Sequence, residues 1–214
     1  MFRVALTRFR HDFLCMSGDS EDLKCNIWDN SDCVGTPYCP PRCPRFTDKE
    51  EEALIARPYR SEDLEPLVDM YEDLDSYSRT MGLPPAGRPQ IENWLVNLMD
   101  RGWGLIALRG DRIVGHVAAT PEQSATPEIV IFVHQDVRDR GIGTELMKQL
   151  LAYAADKDHA GLSLEVSSGK ERAISVYENI GFDVVESTLR ELQMEISLQK
   201  SIAERVQRPP SERS

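Results

Sequence analysis

The residues with the clearest chemical potential are Arg138-Asp139-Arg140-Gly141-Ile142-Gly143, followed directly by Thr144. Upstream, Ile129 to Val133 is an unbroken β-branched and aromatic run that reads as a buried strand. Downstream, Leu146, Met147, Leu150, Leu151 and Ala154 recur at helical spacing. A strand that enters a helix through a Gly-x-Gly turn points several unpaired backbone N–H groups, and the positive end of the helix dipole, at one spot. Such a spot suits a pyrophosphate. A side chain at Gly141 or Gly143 would hold an anion away from the backbone. A dinucleotide-binding turn needs a third glycine, absent here, and a P-loop needs Gly-Lys-Ser/Thr, which does not occur.

Cysteines form the second chemical group. Cys25, Cys33, Cys39 and Cys43 fall in a proline-rich segment, with Cys15 apart. The stretch from Thr36 to Pro44 is too rich in proline for a helix or a central strand. In a reducing cytoplasm, clustered cysteines more often hold a metal than form disulfides. A four-cysteine zinc site would fold a segment that buries no core of its own. The spacing lacks Cys-x-x-Cys knuckles, so free thiols and a disulfide pair stand beside the zinc reading.

The elements that must position these groups are legible along the chain. Ala53 to Ala56 reads as a short strand ended by Arg57-Pro58. Ser61 is a suitable helix cap, with Glu62 and Asp63 in the first turn and Leu64, Leu67, Val68, Tyr71 and Leu74 behind them. Residues 81–89 form a loop, and Ile91, Trp94, Leu95 and Leu98 mark a second helix. Two strand-like runs between Trp103 and Ala119 are joined by Gly110-Asp111, a hairpin turn. Leu162, Leu164 and Val166 alternate with polar residues, and a short helix carrying Ala173, Val176, Tyr177 and Ile180 stops at Gly181. Phe182 to Val185 and the alternating Leu192, Met194, Ile196 and Leu198 complete the strands.

The net charge of −11 is spread along the chain, which argues against partners such as nucleic acid or anionic membrane. Arginine clearly outnumbers lysine, a balance suited to a salt-rich cytoplasm. No apolar run approaches membrane-spanning length, and the first sixteen residues lack a secretory core, so the expected location is cytoplasmic. Translation from Met16 would begin on a solvated acidic segment.

The pattern Arg138-x-x-Gly141-x-Gly143, after a strand and before a long helix, resembles the acetyl-CoA loop of the GNAT superfamily of N-acetyltransferases, written Gln/Arg-x-x-Gly-x-Gly/Ala. A second segment, Leu164-Glu165-Val166 and then Ala173 through Tyr177 to Gly181-Phe182, resembles that family's closing motif. The resemblance covers about residues 53–198. It implies an α/β (α+β) fold with a mixed, mostly antiparallel twisted sheet of six to seven strands and about four helices. Residues 1–18 are then a disordered or non-native start, 19–46 a possible metal-binding extension and 199–214 a polar tail.

The resemblance also implies direct acetyl transfer from acetyl-CoA to a primary amine, on a small molecule or on a protein N-terminus or lysine. Arg138, Asp139, Arg140, Gly141, Ile142, Gly143 and Thr144 would hold the pyrophosphate. The backbone of Ile131, Phe132 and Val133 would pair with the pantetheine arm and polarise the thioester. Tyr177 stands where the family places its general acid, while Glu165, Glu128 and His134 compete as the base. Tyr71, Tyr77, Met81 and Leu83 are candidates for the acceptor pocket. Lys170 replaces the motif's asparagine and would either reach a CoA phosphate or face solvent. A CoA-binding adaptor with a cysteine-rich docking segment is the alternative function, and a homodimer is allowed for.

Overall fold

The computed structural model describes residues 35–78 and 83–208, and among them the periodic segments become eight strands and five helices. In chain order they are β1 (Arg45–Thr47), β2 (Ala53–Pro58), α1 (Leu64–Glu72), α2 (Arg88–Arg101), β3 (Trp103–Arg109), β4 (Arg112–Thr120) and β5 (Glu128–Val133). Then follow α3 (Ile142–Asp156), β6 (Gly161–Ser167), α4 (Glu171–Ile180), β7 (Asp183–Ser187), β8 (Glu191–Ser197) and α5 (Lys200–Gln207). The strands form one mixed sheet in the order β1-β2-β3-β4-β5-β6-β8-β7. Every neighbouring pair is antiparallel except β5 and β6. A parallel pair needs a crossover, which α3 supplies.

The two faces of the sheet carry separate apolar clusters. Leu67, Tyr71, Ile91 and Leu95 of α1 and α2 pack on Ile106, Ala118 and Phe132. On the opposite face Leu146, Leu150 and Leu151 of α3 pack with Leu105, Val117, Leu164 and Met194. Each fully buried leucine of this kind contributes roughly 1.5–3 kcal/mol, so β5 and the start of α3, through Ile129 and Ile142, are anchored in this core. Strict alternation in β6 sends Leu162, Leu164 and Val166 into that core and leaves Ser163 and Glu165 on the other face.

The sheet and helix count exceed the six to seven strands and four helices expected. β1 is three residues long, too short for periodicity to register, and pairs with β2 through Arg45↔Ile55 and Thr47↔Ala53. α5 lies in the stretch read as a polar tail, and Val206 is its buried anchor. The proline-rich residues that precede β1 pack on α3 and α5. Buried Arg42 donates to Glu145 at 2.8 and 3.0 Å and to the Val206 carbonyl, while Gln149 donates to the Cys43 carbonyl at 2.6 Å.

Candidate active site

β5 and β6 share a single register pair, Glu128↔Ser163. Beyond it they diverge, so among the described residues the β6-facing edge of Val130 to Val133 has no strand partner. Unpaired strand edges present N–H and C=O groups ready for another extended chain. At the far end of this edge the backbone turns through Arg138 to Arg140 into α3. Gly141 caps α3 in the left-handed region at φ 88°, a conformation that favours glycine. The first α3 amide with a partner in this turn is that of Glu145, which donates to the Gly141 carbonyl at 3.0 Å. The N–H groups of Ile142, Gly143 and Thr144 have no intrahelical acceptor. A Cβ at Gly143 would meet only Val133 Cγ2, at 3.5 Å, so protein packing leaves room there.

A cavity of about 330 Å³ opens over this turn, lined by Gly141, Ile142, Gly143, Thr144, Arg138 and Lys49. It shares Ile131, Val133, Arg138, Arg172 and Tyr177 with a larger cavity of about 660 Å³ that runs between β5 and β6. The wider one also takes in Glu128, Glu165, Tyr77 and Leu83. The unpaired strand edge, the amide cradle and the candidate acid and base therefore border one continuous groove.

Tyr177 lies where the two cavities meet. Its ring packs 6.0 Å from that of Phe182, and burial pushes its hydroxyl up to about 12, so it stays protonated at neutral pH. Glu165 and Glu128 share a wall of the wider cavity. Partial desolvation, a hydrogen bond with Glu191 and repulsion from Glu191 and Glu128 hold the Glu165 carboxyl above its ordinary range. That shift makes it a stronger base. Glu191 escaped the sequence reading because only the β6–β8 register, with Ser167↔Glu191 beside Glu165↔Gln193, brings it there.

The remaining sequence candidates divide. Arg138 and Asp139 line both cavities, although Arg138 is bound to Asp75 and Asp139 to Arg172 at 2.6 Å. Arg140 turns away: its guanidinium is tied to Asp48, to Glu50 at 2.9 Å and to Glu52 at 2.7 Å. Its backbone carbonyl accepts from the Lys49 N–H at 3.0 Å, so the β1–β2 turn braces the loop. Phe132 borders the wide cavity while its ring packs on Tyr71 and Trp94. Buried His134 sits outside both cavities, 3.0 Å from Asp73, and caps the turn at Gln135–Val137. Tyr77 and Leu83 border the wide cavity, whereas Tyr71 is core and bonds His116 at 2.8 Å. Met81 lies outside the described residues.

Of the cysteines, Cys25 and Cys33 also lie outside the described residues. The Cys39 thiol is lowered to about 6, chiefly by a hydrogen bond with Cys43 and further by Thr36 at 3.4 Å. Among the described residues no group of three or more His, Cys, Asp and Glu side chains is arranged to hold a metal. Among them, too, no helix is long and apolar enough to cross a membrane.

The chain is 32% identical over 92 residues to N-acetyltransferase 8B of Rattus norvegicus. That match takes in 40% of this chain and 41% of the relative, so the chain spans about two fifths of its length. The GNAT domain of S. lividans PAT superposes with a TM-score of 0.63 at 19% identity, covering 72% of this chain and 95% of that one. The structure of yncA from Salmonella typhimurium with its cofactor acetyl-CoA gives 0.56 at 15% identity, covering 69% and 95%. Residues 67–182, more than half of the chain, match the acetyltransferase (GNAT) family, and the chain belongs to that family.

Proposed function

We propose that this protein is an acetyl-CoA-dependent N-acetyltransferase acting on a primary amine. The observation that carries the reading is the single groove in which an unpaired β5 edge leads from an amide cradle to Tyr177 and Glu165. The groove suits the cofactor: the cradle offers N–H donors to an anion, and Gly143 leaves space for it to approach. Ile142, Gly143 and Thr144 would hold the pyrophosphate through their backbone, with Lys49 adding positive charge nearby. Val130 to Val133 would pair with the amide-bearing pantetheine arm as a further strand would. An N–H of that edge then donates to the carbonyl oxygen as negative charge develops on it.

When bound, acetyl-CoA supplies the activated acyl group. Glu165 takes the proton that an ammonium must lose before its nitrogen can attack the carbonyl carbon. As the new C–N bond forms and the C–S bond breaks, Tyr177 donates its hydroxyl proton toward the departing sulfur. A phenol near 12 protonates a thiolate of ordinary acidity, near 8.5, only uphill, by roughly 1.4 kcal/mol for each unit of the gap. Tyr177 therefore acts first as a hydrogen-bond donor. As the amide forms, the nitrogen's second proton replaces the one the phenol gives to sulfur, so the thiol leaves protonated and Tyr177 is restored. The test is thiol release from acetyl-CoA in the presence of primary amines, with the acetylated product identified by mass spectrometry. Binding without amine-dependent thiol release would reject transfer chemistry.

A further inference from the structure

Lys170 stands at the start of α4, and its ammonium is directed to the segment that precedes the undescribed residues 79–82. Nζ donates to the Tyr77 carbonyl at 2.6 Å and lies 3.7 Å from the centroid of the Tyr77 ring. Arg138 grips the same segment, with bonds of 2.8 and 2.5 Å to the Asp75 carboxylate and another to the Ser78 hydroxyl. Its Cζ is 5.1 Å from the Tyr77 centroid. Within the segment the Ser78 N–H donates to Asp75 Oδ1 at 2.8 Å. Tyr77 is 58% exposed, so these cations, rather than core packing, keep it in place along the wide cavity.

We propose that Lys170 is a positioning residue for the amine acceptor: by fastening Tyr77 to the start of α4 it fixes the acceptor side of the groove. The proposal rests on the acetyltransferase reading above. The two fastenings respond differently to an anion. A pyrophosphate at the cradle competes with Asp75 for the Arg138 guanidinium, because both are anions seeking the same donors. Lys170 borders the wide cavity but not the narrower one over the cradle, so a pyrophosphate bound there competes for Arg138 and leaves the Lys170 contacts with the Tyr77 carbonyl and ring in place. Lys170 thus keeps the segment seated when the cofactor is present. An asparagine at this position, two bonds shorter, would not span the gap.

The experiment compares Lys170→Asn, Lys170→Arg, Tyr77→Leu and the Lys170→Asn/Tyr77→Leu pair in the full chain. Hydrogen exchange of the Ser78 amide, whose acceptors lie on Asp75 within the fastened segment, should quicken roughly tenfold in Lys170→Asn and return toward wild type in Lys170→Arg, as loss of one cation–π contact and its hydrogen bond implies. Acetyl-CoA affinity should stay within about threefold. With whichever of spermidine, lysine or an alanyl peptide turns over, KM should rise roughly tenfold with kcat nearly unchanged, the split expected of lost binding alone. The double variant should lose less than the sum of the two single ones, because the ring contact is shared and only the Lys170 bond to the residue-77 carbonyl is separate. Unchanged exchange in Lys170→Asn, or additive losses in the pair, overturns the clamp. A tenfold loss of acetyl-CoA affinity with acceptor KM unchanged overturns it in favour of a cofactor contact. A wild-type protein that binds no acetyl-CoA rejects the acetyltransferase reading itself, a result the exchange data cannot mimic.

Discussion

Gly141 and Gly143 flank one residue yet are glycine for different reasons, and substitutions at Gly143 separate stability from binding. Gly141 lies at φ 88°, where a side chain is strained by roughly 1–2 kcal/mol. Gly143 is the second residue of α3, and a Cβ there makes an ordinary 3.5 Å contact with Val133. Gly143→Ala should therefore stabilise the fold by about 0.5–1 kcal/mol, the usual helix gain. At this chain length that is roughly 1–4 °C in Tm. Gly143→Asp places a carboxylate in the first turn, where the dipole contributes about 0.3–1 kcal/mol, so its empty form should melt no lower than wild type. The same carboxylate opposes the pyrophosphate. Two unit charges 4 Å apart at an effective dielectric near 20 repel by about 4 kcal/mol, close to a thousandfold in affinity. Thermal unfolding and calorimetric titration with acetyl-CoA read the two effects separately. Gly143→Asp that melts several degrees low would show that Gly143 is needed for the fold, and one that binds acetyl-CoA like wild type would exclude the pyrophosphate from this turn.

Tyr177→Phe should lower kcat by about 10²–10⁴-fold with acetyl-CoA affinity little changed, since only the proton donor is lost; steady-state kinetics showing full turnover would remove the role. The activity should rise with pH as Glu165 deprotonates, and Glu191→Gln should move that limb of the kcat/KM profile to lower pH by removing the shared hydrogen bond and the repulsion. A profile unmoved by that substitution would exclude Glu165 as the base. Burial lowers His116 to about 3 from an ordinary 6.5. Above pH 6.5 it is neutral in both states and contributes no pH dependence. Below that, the unfolded chain binds a proton the folded one refuses, so stability falls by roughly 1.4 kcal/mol per unit, about 2 kcal/mol by pH 5. Urea unfolding at pH 7 and 5 should show a shallower loss in His116→Gln; identical slopes would contradict this.

What the sequence revealed follows from which interactions are local. The β5-turn-α3 unit, the alternation of β6 and β8, the Gly110-Asp111 hairpin and the Gly181 stop each have a signature within a dozen residues, and each is present. Side-chain destinations set by distant partners have none. The Arg140 side chain goes to Asp48, Glu50 and Glu52 of the β1–β2 turn, partners some ninety residues earlier in the chain. His134 looked like a base until Asp73 drew it out of the groove. Glu191 and Lys170 reach Glu165 and Tyr77 across 26 and 93 residues of chain respectively, through strand register and a fold-over that no periodic pattern encodes.

In the proposed reaction the start of α3 binds the pyrophosphate of acetyl-CoA through its backbone. The most direct measurement is a titration of the isotopically labelled protein with acetyl-CoA, following the amide resonances by NMR. Saturable shifts should be largest for the Ile142, Gly143 and Thr144 N–H groups, with Val130 to Val133 moving alongside them. Saturation with those amides unmoved, or no saturation at all, would contradict it.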